Sequence, residues 1–254
     1  MRRLIIRPGA IGDCIVSLPA MEHLRTEYTE VWVASQNVPL IRFADKVRGI
    51  VSTGLDLVGI TEPPMAELAG FDSIVSWYGT ARPEFRDAVA GLPFEFHDAL
   101  PGGDLHAVDF YLQQVGAQPG AVPRIFRRRK TARFVAVHPF SGSPRKNWPL
   151  ERFRAVCRSL PVPVQFCAGP EDPLENAVRI SNLYDLGCWL SEAKYYIGND
   201  SGISHLAAAV GTPVYAVFGP TDPAVWAPRG RDVHVIHRDP ITDVSVEEVL
   251  EELC

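Results

Sequence analysis

The sequence predicts an α/β fold built of two Rossmann-like halves, and three observations carry that prediction. Short apolar runs rich in Val and Ile alternate with helix-length segments along the chain, which is the pattern of parallel βαβ units. The alternation is interrupted once, between Gln118 and Arg133, by a stretch with two prolines and six basic residues, and then restarts at Phe134. The stretch Tyr196 to Pro223 reads as strand, polar turn, helix, strand and polar turn, so both of its turns fall at the carboxyl edge of one sheet, where ligands of such sheets bind.

Taken in order, Leu4 to Arg7 is a short strand. Pro8 to Gly12 leaves it for a helix from about Asp13 to about Thr26, with Pro19 expected to kink it. Strands follow at Val31–Ser35, Gly49–Thr53, Ser73–Tyr78 and Phe94–His97. Helices are expected near Val38–Ala44, Pro64–Leu68, Pro83–Ala90 and Leu105–Val115. The basic stretch is read as a linker with a solvated face, which places one domain at 1–122 and a second at 123–254.

The second half opens with the strand from Phe134, a small-residue loop, and a helix at Leu150–Leu160. A strand at Val164–Ala168 and a turn at Gly169–Pro173 lead to two successive helices, Glu175–Leu183 and Asp185–Ala193, with no strand between them. A helix at Ser201–Val210 ends at Gly211 as a left-handed terminator, and Pro213 prevents its continuation. Val214–Phe218 and Val233–His237 are strands, and Val246–Leu253 is the last helix.

Bulk properties narrow the function. Of 254 residues, 46% are hydrophobic and 22% charged, an ordinary globular composition. A net charge of -5 and a pI near 5.8 give no electrostatic reason to expect a nucleic-acid partner. The five cysteines are odd in number and widely spaced, which suggests neither a disulfide framework nor a zinc site. The apolar run before Arg7 is too short for a signal peptide, and a cytoplasmic location is expected.

Three turns offer ligand chemistry. Asp13 falls in a first helical turn, where an anionic side chain is favoured by the helix dipole. Ser141, Gly142 and Ser143 offer hydroxyls and close backbone approach, and Lys146 adds a point charge, a combination suited to phosphate. Asp200 is placed at a helix start, where the amides of Ser201, Gly202 and Ile203 form a weakly positive mouth, and His205 shares a helical face with Ser201. The carboxylate of Asp200 either caps those amides or shapes the pocket and accepts a bond from a sugar hydroxyl. Glu171 is a candidate ribose contact, while Trp148 and Trp226 are read as packing residues. G-x-G-x-x-G, Walker A and D-x-D patterns are all absent, so no dinucleotide cofactor and no metal are expected.

The runs D-S-G-x-x-H-L-A-A-A (Asp200 to Ala209), F-G-P-T-D-P (Phe218 to Pro223) and H-P-x-x-G-x-x-x-K-x-W-P (His138 to Pro149) resemble the donor-binding segments of glycosyltransferase family 9, the heptosyltransferase-like enzymes. Gly12-Asp13 followed by Pro19 is similar to that family's N-terminal motif, and His106 to Gly116 resembles its last N-terminal-domain helix. The resemblance implies a GT-B fold, two Rossmann-like domains facing each other across a cleft. It also implies transfer of a sugar, heptose by family expectation, from a nucleoside-diphosphate donor such as ADP-heptose to a carbohydrate or glycolipid acceptor such as lipopolysaccharide core. The transfer is expected to invert the anomeric carbon without a metal, at the inner-membrane surface or in the cytoplasm. Asp13 is then the expected general base. Ser141, Gly142, Lys146, Glu171, Asp200, Ser201, Gly202, His205 and the turn Gly219, Pro220 and Thr221 are the expected donor contacts. A GT-B sugar-nucleotide epimerase and a non-catalytic sugar-nucleotide-binding protein remain as alternative readings.

Overall fold

Leu4, Ile5 and Ile6 are completely buried, so the middle of β1 (Arg2–Arg7) is an apolar run, as a strand segment covered on both faces must be. A computed structural model describes residues 1–55, 65–125 and 134–253 of the chain. The chain divides into two compact units, Met1–Ala121 and Val122–Cys254. The arginine-rich run 127–133 of the expected linker lies outside the described residues, as do Pro64 and Cys254.

In the first unit, α1 (Ile11–His23), β2 (Tyr28–Val33), β3 (Lys46–Gly49), α2 (Met65–Leu68), β4 (Ser73–Ser76), α3 (Pro83–Ala88), β5 (Phe94–Phe96) and α4 (Ala107–Gln114) follow β1. The sheet order is β3-β2-β1-β4-β5 and every pairing is parallel. Trp32, Leu68, Ile74 and Phe85 fill the core on one face of this sheet. The helix α1 continues through Pro19 to His23; the ring deletes one backbone bond, and the helix does not end there.

Two expectations in this unit shift. The third strand is Lys46–Gly49, and Ile50–Thr53 form a single 3₁₀ turn ended by Gly54. The apolar, β-branched residues lie in the turn, whereas this edge strand is polar. Lys46 lies 3.2 Å from the buried carboxylate of Glu30 on β2, and the Arg48 guanidinium sits over the Trp32 ring. Between β2 and β3, Ser35–Leu40 make a 3₁₀ helix containing Pro39 in place of the helix expected at Val38–Ala44.

The second unit contains β6 (Phe134–His138), α5 (Leu150–Arg158), β7 (Val164–Phe166), α6 (Leu183–Leu190), β8 (Ala193–Asn199), α7 (Gly202–Ala209), β9 (Val214–Phe218), α8 (Pro223–Trp226), β10 (Val233–His237) and α9 (Val246–Glu252). Its parallel sheet has the order β10-β9-β8-β6-β7. Gly211 takes the left-handed conformation (φ 86°) expected of it after α7. Ser245 and Glu248 close a reciprocal cap on α9.

The expected helix at Glu175–Leu183 does not form. Asn176 has a positive φ of 58°, Val178 makes a lone parallel bridge to Cys167, and Arg179 turns back onto the carbonyls of Gly169, Asp172 and Leu174. Asn182 instead caps α6, accepting from the amides of Tyr184 and Asp185, so this helix starts at Leu183. β8 then starts at Ala193, the residue on which the expected helix ends, three residues before the strand expected from Tyr196. Among the described residues no helix is long and apolar enough to cross a membrane.

Candidate functional site

Each sheet has one place where the strand order reverses: between β1 and β4 in the first unit, and between β6 and β8 in the second. At such a point the two following loops part to opposite faces and leave a crevice at the carboxyl ends of the strands. Asp13 lies at the first of these points, and Lys146 and Asp200 meet at the second.

In the first unit, a cavity of about 570 Å³ lies at the reversal, lined by residues that include Arg7, Gly9, Asp13, Trp77, Arg82 and Asp98. Asp13 is the third residue of α1, and its Oδ2 accepts the amide of Ala10 at 2.9 Å, which fixes the carboxylate at the helix start. Gly9 has a φ of +143°. A β-carbon there would lie 3.0 Å from Arg7 Nη1 and 3.1 Å from Asp13 Oδ2, so the two charges border the same small space.

Arg7 is 2% exposed and is held by neutral groups. It donates to Pro8 O at 2.5 Å and to the Tyr111 hydroxyl at 2.8 Å, with a longer contact to Asp13 O at 3.4 Å. Asn37, completely buried, supports the turn from the other side by donating to Gly9 O at 3.0 Å. The sequence reading passes over both supports. Their signal is a charged residue closing a buried strand and a polar residue in an apolar loop.

In the second unit, the loop between β6 and α5 meets the end of β8. Lys146 Nζ lies 2.7 Å from Asp200 Oδ2. The Asp200 carboxylate therefore does not cap α7, the first of the two roles left open by the sequence. Ser201 occupies the N-cap position and makes no side-chain cap, its hydroxyl lying 3.4 Å from that of Ser204. The amides that open α7 at Gly202 and Ile203 thus have no side-chain cap, and they form a place where an anionic group is favoured. His205 lies one turn further along α7 and is buried.

The structure assigns several other residues to framework duties. The Ser141 hydroxyl is engaged within its own loop, with Ser143 O at 2.8 Å and Asn147 Oδ1 at 2.7 Å. Gly142 is exposed with open space around it, so the backbone can be approached there. A β-carbon on Gly219 would lie 2.8 Å from Ile241 Cβ, so this glycine has a packing reason of its own. Pro220 is exposed and Thr221 half-buried, in the turn before α8, which Asp222 caps through Ala224 N at 2.8 Å. Glu171 is exposed in the turn after β7, whereas its neighbour Asp172 organises that turn by accepting Gly169 N at 2.6 Å. Trp148 is a packing residue as expected, buried against Phe153 with its Nε1 donating to Val244 O at 3.0 Å.

One further residue, which the sequence suggests only as an N-cap candidate beside Asp200, holds the donor loop instead. Asn199, completely buried at the end of β8, donates to Pro139 O at 2.8 Å and accepts Trp148 N at 2.9 Å. His138, at the end of β6, is buried, and desolvation pushes its imidazole down to about 4 despite the Asp172 carboxylate 3.8 Å away. It is therefore neutral at physiological pH. A second cavity, of about 610 Å³, lies by the far end of α7 and is lined by none of the candidate residues. Among the described residues, no three His, Cys, Asp or Glu side chains form a metal-holding group.

The sequence model of glycosyltransferase family 9 (heptosyltransferase) matches residues 111–251, more than half of the chain. The chain belongs to this family. Lipopolysaccharide heptosyltransferase 1 of Escherichia coli K12 is 28% identical over 125 residues, which is 42% of this chain and 39% of that relative. The chain thus matches less than two thirds of the relative's length. Solved structures match over the whole chain. The E. coli heptosyltransferase WaaC with ADP has a TM-score of 0.72 at 17% identity, covering 100% of this chain and 99% of that one. A family 9 glycosyltransferase from Veillonella parvula has a TM-score of 0.77 at 17% identity, covering 98% and 95%. At these identities the likeness shows the fold, which is GT-B.

Proposed function

We propose that the protein is an inverting, metal-independent glycosyltransferase that moves a heptose from a nucleoside-diphosphate heptose to a carbohydrate acceptor of the lipopolysaccharide core. The observation that carries this reading is the convergence at the β6/β8 reversal. A lysine held by a buried aspartate stands there beside a helix start without a side-chain cap, an arrangement suited to a diphosphate bearing a sugar. The named relatives support the donor class: the curated relative is a lipopolysaccharide heptosyltransferase, and the E. coli heptosyltransferase WaaC was solved with ADP.

In the proposed reaction an acceptor hydroxyl attacks the anomeric carbon while the bond from that carbon to the diphosphate oxygen breaks. Asp13 takes the hydroxyl proton, and the electron pair of the broken bond leaves with the diphosphate. Lys146 and the opening amides of α7 stabilise that leaving group, with the Ser141 loop and the Thr221 turn shaping the space around it. Glu171, Gly142, Gly219 and Pro220 complete the proposed donor surface, and His205 supports it from within α7. The proposed acceptor is a carbohydrate or a glycolipid and the proposed location is the cytoplasm, at the inner-membrane surface where the acceptor is a glycolipid.

The test is calorimetric titration with ADP and then ADP-heptose in the presence of a chelator, together with the anomeric configuration of the transfer product. Saturable binding that weakens in Lys146→Ala, with an inverted product, is expected. Binding that needs a divalent ion, or that is indifferent to Lys146, overturns the reading.

A further inference from the structure

The cavity of about 610 Å³ by the far end of α7 lies wholly within the second unit, and neither the donor chemistry nor Asp13 uses it. Its floor is apolar, with Val122, Ile125, Ala209 and Val210 among the lining residues, and Arg124 and Arg231 stand at its border. Only these two arginines bring a polar side chain to the lining.

The backbone fixes this arrangement. The Ala209 carbonyl at the end of α7 accepts the Ile125 amide at 2.9 Å, which pins residues 122–125 beside the helix. The carbonyls of Ala207 and Ala208 are met by the amides of Thr212 and Gly211, each at 3.0 Å. The helix end is satisfied by backbone, and neither guanidinium is spent on it. Arg124 and Arg231 are both exposed and make no hydrogen bond or ion pair with any described residue.

Two free cations over an apolar floor suit a ligand that is anionic at one end and apolar next to it. A nucleotide or a sugar does not fit, because its base or hydroxyls would meet no side-chain partner on the floor. A phospholipid does: its phosphate meets the arginines, and the first carbons of its chains cover the apolar floor. The positive charge is local, since the whole chain carries a net charge of -5. It also continues in the sequence, where Arg124 is the first of six basic residues that end at Arg133, a density that favours anionic lipid.

We propose that this cavity is a docking site for the headgroup of an anionic phospholipid, and that it holds the second unit against a negatively charged bilayer. This rests on the inner-membrane reading above and names the surface that makes the contact.

The experiment is co-sedimentation of the full chain with vesicles of phosphatidylcholine, alone or mixed with phosphatidylglycerol. Wild type is compared with the double variant Arg124→Gln, Arg231→Gln, each first checked for a native melting transition. Wild type should bind the mixed vesicles and leave the neutral ones. Each charge should contribute about fivefold, so the double variant should lose roughly thirtyfold in partitioning. Soluble dihexanoylphosphatidylglycerol should also bind wild type, without competition from inorganic phosphate. Mixed vesicles that bind both proteins equally, or bind neither, overturn the docking site, and competition by phosphate overturns its assignment to lipid. ADP titration of the same two proteins keeps the functional reading separate. The double variant should match wild type within about twofold, because its substitutions lie away from the β6/β8 reversal. No ADP binding by wild type defeats the donor reading, whatever the vesicles show.

Discussion

Arg7 donates to the hydroxyl of Tyr111 at 2.8 Å, and both side chains are sealed from solvent. Burial pushes the Tyr111 hydroxyl up to about 12, so it keeps its proton and passes it as a hydrogen bond to Ala99 O at 2.7 Å. The chain of contacts ties the turn carrying Asp13 to α4 and to the loop after β5, two borders of one cavity. Tyr111→Phe leaves a buried carbonyl and a guanidinium donor without this partner, a loss of about 1–3 kcal/mol of stability. It should also lower turnover about tenfold through a misplaced Asp13, while ADP affinity, a property of the other unit, stays within about twofold. Urea unfolding and steady-state kinetics measure the two effects. An equal loss of ADP affinity would show that the phenylalanine disturbs far more than this cavity.

The Ala10 amide on Asp13 makes asparagine the informative replacement there. The asparagine side chain still offers an oxygen to that amide, so the helix start is kept while the base is removed. Turnover of Asp13→Asn should fall roughly 100-fold to 10,000-fold, with ADP affinity and melting temperature close to those of wild type. A variant that transfers sugar at the wild-type rate would take Asp13 out of the mechanism.

The elements with strong local signals are legible in the sequence. Val214–Phe218 and Val233–His237 are strands with those limits, the first because a covered parallel strand is apolar throughout and the second, an edge strand, through its recurring Val and Ile, and Gly211 ends α7 because a left-handed terminator suits glycine. The misreadings fall where tertiary contacts outweigh propensity. The polar β3 is stabilised by Glu30 and Trp32 on β2, and residues 175–182 are held out of a helix by the reach of Arg179 across the preceding turn. The site is legible as motifs and hidden as geometry. Lys146 and Asp200 are both candidates from sequence, but a pair 54 residues apart becomes visible only when β8 is known to lie beside β6. Asn199, which from sequence is an N-cap candidate, and Arg7 go unread as supports because their work is to hold backbone, and a buried hydrogen bond to a carbonyl leaves no spacing pattern.

The two hydrogen bonds of Asn199 tie both ends of the loop that carries Lys146. Asn199→Asp keeps the shape and the acceptor for Trp148 N, but it sets an oxygen against Pro139 O and buries a charge. Stability should drop by about 3 kcal/mol, and ADP affinity should fall about tenfold as the loop loses its anchor. A purely global effect would weaken ADP binding equally in the Lys146→Ala background. Positioning of Lys146 predicts a much smaller additional loss in the double variant, which a double-mutant cycle by calorimetry resolves.

His138 sets an acid limit on the stability of the second unit. Its imidazole ordinarily titrates near 6.5 and is pushed down to about 4 by burial. Between these values the unfolded chain binds a proton that the folded chain refuses, so unfolding is favoured progressively as pH falls. The contribution is fully present above about pH 6.5, is lost as pH drops toward about 4, and levels off below that, for a total on the order of 3 kcal/mol. The Asp172 carboxylate opposes the shift, favouring the protonated ring from 3.8 Å, but desolvation is the larger effect. Replacing His138 with the non-titrating Gln should flatten the stability curve between about pH 6.5 and about pH 4.5, whatever its effect at neutral pH. Urea unfolding across that range measures the slope. Parallel curves for wild type and His138→Gln would mean that the proton is taken up elsewhere.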